Sequence, residues 1–163
     1  MGIYDTILVP TDGSAGFERV IEHAGELARF HDARIVALYV VDATSYTGLP
    51  MEASWEGVRD VLDGKGQEAL ADVERLLGEG VEVETVTVEG RPSREIVDVA
   101  GERGVDCIVM GTHGRGGIDR LILGSVAERV VRASRVPVVT VGFSAADGVE
   151  ESPEKEPAAA GPG

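Results

Sequence analysis

The chain has 163 residues, enough for one domain whose core needs no disulfide or metal to hold it. Its 29 acidic residues outnumber 15 basic ones for a net charge of −14, which argues against a nucleic-acid partner, since phosphate binding needs a basic face. The single cysteine, Cys107, excludes an internal disulfide and any CxxC metal or redox motif.

Apolar residues make up 43% of the chain but aromatics only 4%, so the core falls to Val, Ile, Leu and Ala. That palette suits a parallel sheet covered by helices. Two of the bases are lysines, Lys65 and Lys155, and the rest are arginines. An acid-rich, lysine-poor balance resembles proteins of organisms with a saline cytoplasm, where salt screens carboxylate repulsion. The plainer alternative is an acidic protein of an ordinary cytoplasm with an acidic tail. Neither a basic-then-apolar leader nor an apolar run of about 18 residues is present, so a soluble cytoplasmic protein is expected.

In chain order, Ile3 to Val9 is a β-branched run that predicts a first strand, ended by the turn cluster Pro10-Thr11-Asp12-Gly13-Ser14. Phe17, Val20, Ile21, Ala24, Leu27 and Ala28 recur at helical spacing. Arg34 to Val41 reads as a second strand buried on both faces, and 42–54 as a loop. Glu56 to Leu77 carries a helical apolar face, interrupted by Gly64 and Gly66. Val81 to Val88 alternates with period two, the mark of an edge strand with one wet face.

Pro92 opens a third helix that Gly104 ends. Asp106 to Met110 is a short buried strand, followed by a glycine-bearing loop from Gly111 to Gly124. A fourth helix spans Ser125 to Ala133, and Val136 to Val141 closes as a fifth strand. The alternation predicts an α/β fold: one open, doubly wound, five-stranded parallel sheet, order 3-2-1-4-5, with helices on both faces. Residues 1–143 form this domain; 144–163, an acidic tail rich in Pro, Ala and Gly, are expected to be disordered.

In such sheets ligands bind beyond the carboxyl ends of the strands where strand order reverses, here strands one and four. The loops at that point are Pro10 to Ser14 and Gly111 onward. Glycines let backbone N–H groups turn toward an anion, and the helix starting near Ser125 adds its positive end. Ser125 and Glu128 also read as an S-x-x-E capping box, which a helix start needs with or without a ligand. Asp12 has a similar second reading as a plain turn or cap residue.

Gly111-x2-Gly114-x9-Gly124-Ser125 resembles the phosphate-binding signature of the ATP-binding branch of the universal stress protein family. The likeness extends from residue 3 to about 142, through the words ILVPTDGS, MGTHGRGG, LGSVAERVV and VPVVTV. It implies that Asp12 contacts the nucleoside, with Pro10 and Thr11 on the same wall, and that the Val40 backbone holds the adenine edge. It implies too that Gly111, Gly114, Gly124 and Ser125 receive phosphates, with Val126 beside them. Arg115 and Arg120 are the bases of the loop; Arg115 either adds charge near the phosphates or is simply solvated.

The resemblance implies a stress-response switch that binds ATP, with or without Mg2+, leaves ADP and AMP as other occupants, and dimerises through Val136–Val141. A slow ATPase or phosphotransferase is the alternative, though Asp12 and Asp119 form no convincing carboxylate pair for it. A nucleotide-free scaffold is the third reading. No GxxxxGK[ST] occurs, and the stretch from Gly114 to Asp119 fails GxGxxG at its last position. Neither the ATP-pyrophosphatase SGGxDS pattern nor the HIGH signature of nucleotidyl transferases is present. His113 offers only weak grounds for catalysis, His23 and His31 are expected at the surface, and Cys107 is expected to be a core residue.

Overall fold

The computed structural model describes residues 2–42, 55–113 and 123–143. Strands and helices alternate along them: β1 (Thr6–Thr11), α1 (Glu18–His31), β2 (Arg34–Val41), α2 (Trp55–Leu77), β3 (Val83–Glu89), α3 (Pro92–Glu102), β4 (Cys107–Gly111), α4 (Ser125–Ala133) and β5 (Val138–Val141). The strands form one all-parallel sheet in the order β3-β2-β1-β4-β5, as the alternation predicts.

Side chains alternate across a strand, so the three interior strands, β2, β1 and β4, feed two separate core layers. Ile7, Val9, Ile35 and Ala37 face α1 and α2, where they meet Val20, Ala24, Leu62 and Val73. Leu8, Val36, Leu38 and Ile108 face α3 and α4, against Ile96, Val99, Ala127 and Val130. Burial on both faces explains why Arg34 to Val41 is apolar almost throughout, and each fully buried aliphatic side chain contributes about 1.5–3 kcal/mol. At the sheet edge, β3 alternates half-buried and exposed positions, as its period-two pattern requires.

Gly64 and Gly66 do not break α2, which is continuous. Gly66 is buried there because a Cβ would lie 2.6 Å from Cδ2 of the Tyr39 ring; the glycine admits that ring. At the other end of the fold, His31 is half-buried at the surface: its Nδ1 accepts the Ile3 N–H at 3.0 Å, and its ring packs on Tyr4. His23 is exposed, as expected. Among the described residues no helix is long and apolar enough to cross a membrane.

Between β2, β3 and the end of α3, the Glu84 carboxylate takes Arg34 Nη1 at 3.1 Å and a shorter bond from Arg103. The Arg103 hydrogen bond, reinforced by Arg34 and opposed by partial burial, holds Glu84 below the usual glutamate range. A carboxyl lowered in the folded state adds stability that is complete above its unfolded value, about 4.3, and is lost as pH falls through the folded value. Glu84→Gln is therefore expected to cost about 0.5–1 kcal/mol near neutral pH, a small figure because the pair is partly exposed. In thermal melts the difference from wild type should shrink as pH falls below the unfolded value and vanish once Glu84 is protonated in both states; an undiminished difference in acid would remove the ionic account.

Candidate functional site

The crevice begins with a missing hydrogen-bond donor. Arg34 N–H donates to Asp5 C=O at 3.0 Å and Asp106 N–H to Thr6 C=O at 2.8 Å, so odd residues of β1 face β2 and even ones face β4. The next even donor after Leu8 falls at residue 10, and Pro10 has no N–H. Pairing of β1 with β4 accordingly ends at Leu8↔Ile108, while β1 stays paired with β2 through Pro10↔Leu38 and Thr11↔Tyr39. Strand β1 thus runs two residues past the expected end at Val9 and starts three after Ile3. The part of Pro10 and Thr11 assigned to a turn belongs to a strand that has lost one neighbour.

Beyond β1 the chain turns on its own side chains. Thr11 Oγ1 accepts the Gly13 N–H at 3.1 Å, and Gly13 adopts φ +77°, where glycine is favoured. Asp12 Oδ1 accepts the Ser14 N–H at 3.0 Å and also bonds the Ser14 hydroxyl. Asp12 therefore does serve as a turn residue. It is also half-buried at the carboxyl end of β1, the position the resemblance gives a nucleoside contact. Ser14, which orients it, carried no signal in the sequence beyond its place in the turn.

On the neighbouring strand, Ile35 N–H donates to Glu82 and Val41 C=O accepts Gly90 N–H at 3.0 Å, so odd residues of β2 face β3. Val40 then turns its backbone groups to the β1 side, one residue beyond the last pair, Thr11↔Tyr39. Its side chain packs with Val126 against the α3–α4 core layer.

Gly111 is the last residue of β4, paired with Val141, rather than the first of the loop. Thr112 N–H donates to Val141 C=O at 3.0 Å, and Gly124 N–H to Thr112 C=O at 2.6 Å, so the two ends of the glycine loop are tied together. Gly124 is the N-cap of α4 in extended conformation, with no side-chain cap. The capping box is not made. Ser125 is already helical, and Glu128, which would close the box, reaches forward to Arg132 at 3.0 Å. Helix geometry leaves the first α4 amides without intrahelical partners, and that end carries partial positive charge. Ser125 stands exposed there.

The floor of the site is aromatic, which sequence reasoning missed. Phe143, past β5, stacks on the His113 ring at 4.8 Å and meets Phe17 edge-on at 5.7 Å. Two of the three phenylalanines of the chain thus sit here. His113 also holds Thr112 Oγ1 at 3.1 Å through Nδ1. Gly114, Arg115, Asp119 and Arg120 lie outside the described residues, as do the 42–54 loop beyond Asp42 and the 144–163 tail. Cys107 is fully buried, and burial first, then the nearby Asp106 charge, push its thiol up against a hydrogen bond from Tyr4; it is a core residue. No group of three or more His, Cys, Asp or Glu that could hold a metal occurs among the described residues.

Residues 3–142 match the model of the Universal stress protein family. Universal stress protein MJ0531 of Methanocaldococcus jannaschii is 44% identical over 140 residues, covering 85% of this chain and 82% of that one. The solved structure of the hypothetical protein MJ0577 superposes with a TM-score of 0.76 at 30% identity, over 86% of this chain and 97% of that chain. A universal stress protein solved in complex with cAMP superposes with a TM-score of 0.68 at 25% identity, over 88% of this chain and all of that one (100%). The family model spans nearly the whole of the described sheet and the relatives share its fold, and the chain belongs to the universal stress protein family.

Proposed function

We propose that this protein binds an adenine nucleotide, ATP foremost, in the crevice beyond β1, β2 and β4, and acts as a nucleotide-dependent stress-response module. The observation that carries the reading is the N-terminus of α4: its amides open without a side-chain cap, at a glycine tied to the end of β4. Amides of that kind suit phosphate oxygens. Gly114, Gly124 and Ser125 are the phosphate residues in this reading, with Gly111 at the end of β4 and Val126 beside them and Arg115 adding charge. Asp12 takes a ribose hydroxyl, flanked by Pro10 and Thr11, and the Val40 backbone reads the adenine edge. The family member complexed with cAMP supports an adenine nucleotide as the ligand class.

A Mg2+ ion would be held mainly by phosphate oxygens, which suits an ion that keeps most of its water. Strand β5, half-buried along its length at the sheet edge, is the surface through which two copies pair. Nucleotide bound to one copy then alters the β4–β5 end that the pair shares.

The test is mass spectrometry of nucleotide co-purified in high salt, with ATP titrated by calorimetry alongside. Micromolar or tighter ATP binding without rapid conversion to ADP is expected. Rapid turnover would move the protein to the slow-ATPase reading, and no binding at any salt would leave a scaffold.

A further inference from the structure

Phe143 is 4% exposed and lies against both loops that frame the crevice. Its ring is parallel to His113 within 6° and perpendicular to Phe17, which leads into α1. A Cβ at position 111 would overlap this ring, with Phe143 Cδ1 at 2.9 Å and Cζ at 3.3 Å. On the far side, a Cβ at position 124 would lie 3.1 Å from His113 Cα. His113 is therefore held between the Phe143 ring and the backbone that starts α4.

The geometry points to Phe143 as a positioning residue for nucleotide binding, with Gly111 a glycine to admit its ring rather than to approach a phosphate. This rests on the nucleotide-binding reading above and divides its glycine signature. Gly124 belongs to the α4 amides, while Gly111 belongs to the floor. The connection is short. Phe143 fixes the His113 ring, Thr112 Oγ1 fixes its orientation from the other edge, and Thr112 C=O receives the Gly124 N–H at 2.6 Å. A displaced Phe143 releases His113, lengthens that bond and turns the first α4 amides. Aromatic stacking of this kind contributes about 0.5–1.5 kcal/mol beyond area burial, enough to hold a loop end without holding the fold.

The experiment uses Phe143→Leu, Gly111→Ala and their combination in the full chain. Phe143→Leu keeps apolar volume without the ring; if it fails to fold, Phe143→Met replaces it. Three results are expected. Amide exchange at Gly124 quickens more than tenfold while β2 amides stay protected, the His113 ring protons lose their upfield ring-current shift, and ATP affinity falls about tenfold. Gly111→Ala should also weaken ATP binding, and adding Phe143→Leu should restore part of it, because the smaller side chain makes room for the new methyl. Wild-type affinity and unchanged Gly124 exchange in Phe143→Leu would overturn the assignment. So would a double variant as weak as the two single losses combined, since an approaching phosphate gains nothing from a smaller residue 143. Exchange and ring shifts are read without nucleotide. A wild-type protein that binds no ATP therefore sinks the nucleotide reading while these still decide the role of Phe143.

Discussion

Gly124→Val is expected to weaken ATP binding about thirtyfold while leaving the sheet intact. The backbone at Gly124 has φ −68°, which any residue adopts, so the effect is one of space rather than of conformation. A Cβ would stand 3.1 Å from His113 Cα and 3.3 Å from Thr112 O, both main-chain atoms with no rotamer to retreat into. Valine's branches would push α4 away from the end of β4 and strain the Gly124–Thr112 bond. Displacing one charge-assisted hydrogen bond costs about 1.5–3 kcal/mol, and each 1.4 kcal/mol is about tenfold in affinity. Gly124→Ala should fall between. Calorimetric titration paired with circular dichroism checks this: a folded valine variant with wild-type affinity would remove the start of α4 from the phosphate site.

Stability should rise steeply with salt. The acidic tail is not the main source of charge: residues 1–143 alone carry a net −10, once the five acids and one lysine beyond them are set aside. Among the described residues six arginines are in ion pairs with carboxylates, and the paired side chains are all substantially exposed. Such pairs relieve little of the general repulsion. Raising salt from about 0.1 M to about 1 M shortens the screening length from about 10 Å to about 3 Å. In a domain of this size each kcal/mol moves the melting midpoint by about 2–4 °C, so relief of several kcal/mol gives a rise of about 10 °C. Thermal melts in potassium chloride, repeated on a chain ending at Phe143, measure it. A midpoint flat in salt would favour an acidic protein of an ordinary cytoplasm.

Much of this architecture is legible because burial and periodicity coincide. Two-sided burial makes β1, β2 and β4 apolar runs, and the alternation of strands with helices leaves few ways to build a sheet. The misreadings occur where a neighbour, not the local sequence, decides. Pro10 looks like a turn because proline removes a donor, yet the donor it removes faces only β4, so pairing with β2 continues. Ser125 looks like a cap because Glu128 follows it, but Arg132 claims that carboxylate and the extended Gly124 takes the N-cap place. Val136 looks like strand, but Ser134 Oγ bonds both its N–H and its C=O and holds it in a turn, so β5 starts at Val138. Phe143 carries no periodic signal, being a single residue after the last strand. Its place is set by partners from other elements: the space left by Gly111 on the neighbouring strand and the rings of Phe17 and His113.

The absent amide hydrogen of Pro10 has one more consequence. Two parallel strands with complete ladders would zip together to their ends, and a guest would first have to part them. Here the parting is written into the covalent structure, in a five-membered ring that cannot donate. The opening exists before any guest arrives, and binding energy is not diverted to prying the sheet apart. An imino acid in the middle of a sheet, ordinarily a defect, serves in this fold as a doorstop.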